Sequence, residues 1–250
     1  MPKSSGDYGS LCSLVYELDK PVGTSFGDVE FYRDLLAGTS GEILEPAVGT
    51  GRILIPLLRA GLRVRGYDSS SSMLAICRDN CAASGLDPVL FEADMVTFKE
   101  PAAFAAIAIP TGSFALVTGR ERAAQALRNL RESLRPGGRL IVDVEPLEQS
   151  TSPGPLKHWW FGDEMLTLSS LPPAQPEEGL VSSWLRYERW RDGRLVETEL
   201  QHFRLQRYGL DGFAALLRET GFTAITVHAD YQVGLPPTPD SQVWTFEATV

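Results

Sequence analysis

One short stretch limits the fold more than any other. At residues 43–52, ILEPAVGTGR, the apolar pair Ile43 and Leu44 runs into an acid, Glu45, and the chain turns on Gly49 and Gly51 before the apolar run ILIPLL. An apolar run that stops at an acid and breaks into a glycine turn reads as a buried strand feeding a helix. Glycine lets that turn tighten and approach a ligand with no Cβ in the way.

The same unit repeats downstream, with short apolar runs alternating with amphipathic stretches of helical length. EILEP is a first strand, GRILIPLLRAG a helix closed by Gly61, RVRGYD a second strand, and SSMLAICRDNCAASG a helix ended by Gly85. PVLFEAD and FAAIAIP are the third and fourth strands, followed by the helix ERAAQALRNLRESL, the turn RPGG and a fifth strand, RLIVDVE.

After Glu145 the pattern breaks. PLEQSTSPGP and LPPAQPEEG read as loops, and the β-rich runs VSSWLRYERW and RLVETELQHFRLQRY meet at Arg191-Asp192-Gly193-Arg194, a hairpin signal. Residues 155–208 are therefore expected to be an antiparallel β insertion over the active site. The helix LDGFAALLRETG and the closing runs AITVHADY and SQVWTFEATV then restore the pattern. The expected fold is α/β: a Rossmann-like, doubly wound, mostly parallel sheet of seven strands over residues 41–250. Residues 1–40 form an N-terminal helical cover.

Composition narrows the partners. A formal charge of −9 supplies no basic excess for phosphate contacts, so a small-molecule substrate is expected rather than nucleic acid. Arg128, Arg131 and Arg135 form only a stripe that Glu121 and Glu132 interrupt, and read as a solvated face. No run approaches the ~20 apolar residues of a membrane span, and the first residues lack the apolar core of a signal peptide. The three cysteines, Cys12, Cys77 and Cys81, are an odd set that suits a reducing cytoplasm. Cys77 and Cys81 share helical spacing but have no third ligand nearby, so they read as small buried side chains and no metal is expected.

In such a sheet, ligands collect beyond the carboxyl ends of the strands. Glu45 ends the first strand beside Gly49 and Gly51. Asp68 ends the second, where a carboxylate can accept both hydroxyls of a ribose. Asp94 follows the third, placed to accept the amino group of a nucleobase, and Pro110 ends the fourth near the reacting centre. A dinucleotide fingerprint fails on spacing, because Leu54 stands where its third glycine belongs. It fails on charge too: Glu45 repels a pyrophosphate and attracts a cofactor bearing an ammonium and a sulfonium, such as S-adenosylmethionine.

On these pieces, with FEADM and LRPGGRLIVDVE, the chain resembles the class I S-adenosylmethionine-dependent methyltransferases, clearly over about residues 40–145 and more loosely beyond. The resemblance implies Gly49 and Gly51 beside the methionine portion, Asp68 on the ribose, Asp94 with Met95 around the adenine, and Met73 packing nearby. The family usually has a glycine where this chain has Ala47. The insertion is similar in topology to that of small-molecule members such as amino-sugar N-methyltransferases.

The implied reaction is methyl transfer to oxygen or nitrogen of a small molecule. The alternatives are a nucleic acid or protein methyltransferase and a non-enzymatic S-adenosylmethionine-binding module. A hydroxyl acceptor needs a base more than a neutral amine does. His158 beside Trp159 and Trp160, Glu145 at the fifth-strand end and Tyr16 in the leader are the candidates, with His202 and His228 the remaining imidazoles. Trp159, Trp160, Phe161, Trp184 and Trp190 are candidates for an aromatic lid. The acceptor and the oligomeric state are not legible in any motif.

Overall fold

The computed structural model describes residues 8–146, 156–171 and 179–250. The first seven residues of the leader and most of the two proline-rich loops lie outside the described residues.

Two helices, α1 (Ser10–Asp19) and α2 (Asp28–Leu36), precede the alternating core. That core runs β1 (Ile43–Pro46), α3 (Leu54–Arg59), β2 (Val64–Asp68), α4 (Ser71–Ala83), β3 (Leu90–Glu92), β4 (Phe104–Ile109), α5 (Arg120–Ser133) and β5 (Leu134–Val144). Four strands follow: β6 (Lys157–Phe161), β7 (Glu164–Leu171), β8 (Leu180–Arg191) and β9 (Arg194–Gln206). The chain closes with α6 (Leu210–Glu219), β10 (Thr223–Ala229) and β11 (Trp244–Thr249).

The main sheet has seven strands in the order β10-β11-β5-β4-β1-β2-β3, and β11 runs against its neighbours. The chain winds outward from β1 through β2 to β3, then returns to β4 on the other side of β1. A crevice opens where the direction of winding reverses.

The apolar runs are continuous because both faces of the sheet are covered. Alternation along the strands divides them: Leu44, Ile107, Leu140 and Val142 join a core with α5 and α6. Ile43, Ala106, Ala108 and Ile141 join a second core with α2, α3 and α4.

Two local expectations are corrected. The first core helix is shorter than GRILIPLLRAG, because Gly51 and Arg52 belong to the turn that precedes it. RPGG is not a plain turn before β5: pairing with β4 jumps from Phe104↔Leu134 to Ala106↔Arg139, so residues 135–138 bulge within the strand, with Gly137 at φ +73°. The stretch holding His158, Trp159 and Trp160 is a strand, β6, paired with β7, within the β insertion expected there.

The second sheet, β6-β7-β8-β9, is antiparallel. Its β8–β9 hairpin turns on Asp192 and Gly193, at φ +50° and +70°, between the paired Arg191 and Arg194. Two left-handed residues match the twist of the flanking strands, which is why Asp-Gly occurs there.

Candidate active site

Beyond the ends of β1, β2 and β4 lies an open cleft of about 880 Å³, bordered by Ala47, Gly49, Asp68, Met73, Asp94, Met95 and Ser113, with Tyr8 and Tyr16 from the N-terminal segment. A narrower recess of about 290 Å³ adjoins it, bordered by Glu45, Ala47, Thr50, Arg52, Pro110 and Thr111. Ala47, Tyr16 and Ser113 border both.

The glycine turn and the β2 acid are tied together. Asp68 accepts the Gly49 amide on Oδ2 and the Ser70 amide on Oδ1, both at 2.9 Å. Ser70 then caps α4 by accepting from the Met73 amide at 3.2 Å, which sets Met73 into the cleft wall. Burial pushes the Asp68 carboxyl up, and the backbone donors oppose that push. Asp94 accepts the Val96 amide at 2.6 Å, fixing the turn after β3 that carries Met95.

Gly49 is left-handed, at φ +56°, and a side chain there would meet only Tyr16, so its backbone faces open space. Ala47 is also left-handed, at φ +53°, the conformation that a glycine takes without strain.

The recess is unusual in its polar groups. Glu45 is 2% exposed, and its Oε2 has no hydrogen-bond partner. The same holds for Thr50 Oγ1 and Arg52 Nε, so an acid, a hydroxyl and a cationic N–H are all buried with open valences. Burial raises the Glu45 carboxyl to about 8, against the pull of Arg52. The Arg52 guanidinium is held by Asp28 Oδ1 at 3.1 Å, by Asp28 Oδ2 and by the Thr24 carbonyl at 3.1 Å. Unpaired buried polar groups are costly, so this set calls for a ligand carrying both a cation and an anion. No group of His, Cys, Asp and Glu with metal-site geometry occurs among the described residues.

The insertion reaches the cleft indirectly. Its inner face packs Leu166 and Tyr187 against Leu11, Cys12 and Val15 of α1. Glu199 of β9 accepts the Gly9 and Leu11 amides at 3.1 Å each, capping that helix. α1 carries Tyr16 to the cleft, where burial raises its phenol and Arg52 partly offsets the rise.

The sequence candidates fall into two groups. Glu45, Ala47, Gly49, Asp68, Met73, Asp94, Met95, Pro110 and Tyr16 all border the cleft or recess. Gly51 lies under the turn, where a Cβ would stand 2.9 Å from Cys77 Sγ, and it borders neither cavity. Glu145 sits just past β5, about 3.5 Å from where a Gly112 Cβ would be. His158 is exposed on β6 opposite Thr167, away from both cavities. His202 stacks on Trp184 at 4.4 Å and meets Ser182 Oγ at 2.8 Å. His228 is buried near Glu247.

The aromatic-lid expectation is corrected. Trp160 is 66% exposed, Phe161 is exposed too, and none of the five aromatic residues borders the cleft, because β6 and β8 turn those side chains to the outer face or against α1. Arg128, Arg131 and Arg135 each bond to protein groups. Arg52 and Thr50 were missed, although the acid of the same motif invited a search for its counter-charge.

Comparison with known proteins agrees with this fold. Residues 43–138 match the family model described as a methyltransferase domain. A protein of Geobacillus sp. strain WCH70 that carries a methyltransferase name is 24% identical over 203 residues, covering 81% of this chain and 82% of the relative. A solved S-adenosylmethionine-dependent methyltransferase from Clostridium acetobutylicum ATCC 824 superposes with a TM-score of 0.76 at 16% identity, covering 95% of this chain and 97% of that one. The sugar N-methyltransferase of Streptoalloteichus sp. ATCC 53650 gives a TM-score of 0.76 at 19% identity, covering 100% and 95%. At such identities the two structures share the fold.

Proposed function

We propose that this chain, a methyltransferase built on the class I fold around the domain at residues 43–138, takes its methyl group from S-adenosylmethionine and delivers it to a nitrogen or oxygen of a small molecule. The observation that carries this reading is the recess with its buried, open-valence Glu45, Thr50 and Arg52, continuous with a cleft holding Asp68 and Asp94.

Those residues fit the cofactor from end to end. Glu45 takes the ammonium, Arg52 and Thr50 the carboxylate, Asp68 the ribose hydroxyls and Asp94 the amino group of the base, with Met73 and Met95 against the ring. A diphosphate in the same place would lie against Glu45. When bound, the cofactor supplies a methyl group on a sulfonium, whose in-line transfer leaves a neutral thioether.

The protein's share is alignment and exclusion of water. Tyr16 from α1 closes the cleft over Gly49, and the turn at Pro110–Ser113 forms the wall at the methyl end. Tyr16 and Glu145 are the groups near that end able to accept or relay an acceptor proton. His158, exposed on β6, borders neither cavity.

A small acceptor is supported by the net charge of −9 and by likeness in fold to an enzyme named as a sugar N-methyltransferase. Isothermal titration with S-adenosylhomocysteine tests the cofactor assignment, and the absence of binding at millimolar ligand would end it. A panel of amino sugars, free and nucleotide-linked, and of small hydroxylated compounds, read by release of S-adenosylhomocysteine, tests the acceptor class. Turnover with RNA or a protein and none in the panel would overturn it.

A further inference from the structure

The turn that ends β4 is made from a residue that resists its shape. Thr111 and Gly112 have φ of +55° and +68°, and the Ser113 amide closes the turn on the Pro110 carbonyl at 3.2 Å. Glycine adopts such angles freely, whereas a β-branched residue does so only where its surroundings over-determine it.

The constraint comes from β5. Asp143, wholly buried, accepts the Thr111 amide on Oδ2 at 2.6 Å. The same oxygen accepts the Tyr231 hydroxyl at 3.1 Å, and Tyr231 is itself left-handed, at φ +55°. Oδ1 accepts the Tyr32 hydroxyl at 2.7 Å and the Thr245 hydroxyl at 2.6 Å. One carboxylate thus joins α2, the β4 turn, the segment after β10, and β11. Thr111 and Ser113 border the recess and Ser113 also borders the cleft, so this turn stands where the two cavities meet.

We propose that Asp143 is a positioning residue for methyl transfer, holding the Pro110–Ser113 turn in the left-handed shape that fixes where an acceptor meets the methyl end of the cofactor. This rests on the reading given under Proposed function. Asp143 acts through Thr111 and does not touch the substrate.

The chemistry of the four donors supplies a discriminating test. The Thr111 amide can only donate, whereas the Tyr32 and Thr245 hydroxyls can rotate and accept. Asparagine at 143 can therefore keep its oxygen on Thr111 and give its amide N–H groups to the hydroxyls; alanine can do neither.

Amide exchange at Thr111–Ser113, measured in the S-adenosylhomocysteine complex, reads the turn directly. Asp143→Ala is expected to accelerate it about tenfold or more, and Asp143→Asn to leave it within about threefold of the wild type. With the acceptor returned by the panel, Asp143→Ala lowers kcat about a hundredfold while the S-adenosylhomocysteine Kd changes less than about threefold. Adding Thr111→Gly to that variant restores about tenfold, because glycine takes the shape unaided.

Unaltered exchange or kcat in Asp143→Ala, equal damage in Asp143→Asn, or no recovery with Thr111→Gly would overturn the proposal. If Asp143→Ala does not fold, Thr111→Val at this exposed position decides: faster exchange and a kcat about tenfold lower with cofactor affinity kept supports it, and wild-type behaviour ends it. Failure of the wild-type protein to bind S-adenosylhomocysteine would count against the cofactor reading instead.

Discussion

Glu199 reaches from the insertion to accept the Gly9 amide at 3.1 Å, joining residues 190 positions apart, and its second oxygen accepts the Leu11 amide. The insertion therefore acts on the cleft through α1, whose N-terminus it caps and whose Tyr16 faces Gly49. Glu199→Ala removes two charge-assisted hydrogen bonds, which costs about 1 kcal/mol of local stability. The expected outcomes are faster proteolysis within α1 and S-adenosylhomocysteine affinity about fivefold weaker. Unchanged affinity with a loosened α1 would mean that the helix is not part of the cofactor site.

Asp68 has two tasks, shaping the glycine turn through Gly49 and offering its oxygens to the cleft. Asp68→Ala leaves the Gly49 and Ser70 amides without their acceptor and, on the proposed reading, removes the ribose partner as well. Affinity for S-adenosylhomocysteine should fall roughly a hundredfold, the equivalent of two hydrogen bonds to a charged group, while Asp68→Asn falls less. Equal affinity in all three proteins, by calorimetry, would remove Asp68 from the site.

Glu45 makes cofactor binding sensitive to pH. Its carboxyl is raised to about 8 by burial in the ligand-free protein, against an ordinary value of 4.5. The folded state therefore holds a proton that the unfolded chain has lost between those two values. Stability contributed by this group is highest below the ordinary value, declines as pH rises towards 8 and is flat above it. An ammonium in the recess reverses the preference, so binding at pH 7 should release close to one proton. Titrations in buffers of different ionisation enthalpy count it, and Glu45→Gln should abolish both the release and the stability slope. Zero release by the wild type would mean that Glu45 is already ionised or does not meet the cation.

Much of this was written in the local sequence. Buried β1, β4 and β5 showed as continuous apolar runs, the Asp-Gly pair marked the β8–β9 hairpin, and the strand-end acids Glu45, Asp68 and Asp94 fell along one pair of cavities. What was not legible depends on contacts between distant segments. His158 looked close to the site because it follows β5 in sequence, yet on β6 it is exposed and borders neither cavity. The tryptophans had strand periodicity, but which face of the second sheet met α1 was decided by Leu166, Tyr187 and Glu199 together. Asp143 gave no signal at all: an acid inside RLIVDVE becomes readable only when donors from residues 32, 111, 231 and 245 converge on it.

Arg52 and Asp28 form a buried pair, with side chains 4% and 0% exposed, and only Arg52 borders the recess. Burial pushes the Asp28 carboxyl up, but its bonds with Arg52 and with the Phe26 and Val29 amides bring it below the ordinary range. The stabilisation is therefore present above the ordinary carboxylate pKa and is lost as pH falls through the lowered one. Asp28→Ala strands a guanidinium in the interior, and a loss of about 3–5 kcal/mol is expected in urea unfolding. The same variant should also weaken S-adenosylhomocysteine binding about tenfold, because Asp28 fixes the guanidinium of Arg52, which borders the recess and keeps an unpartnered Nε. Arg52→Lys separates the two effects: a lysine can pair with Asp28 as a point charge but has no N–H at the Nε position, so it should lose less stability than Asp28→Ala while its affinity falls about as far. Stability and affinity both close to the wild type would show that Arg52 serves only to anchor α2.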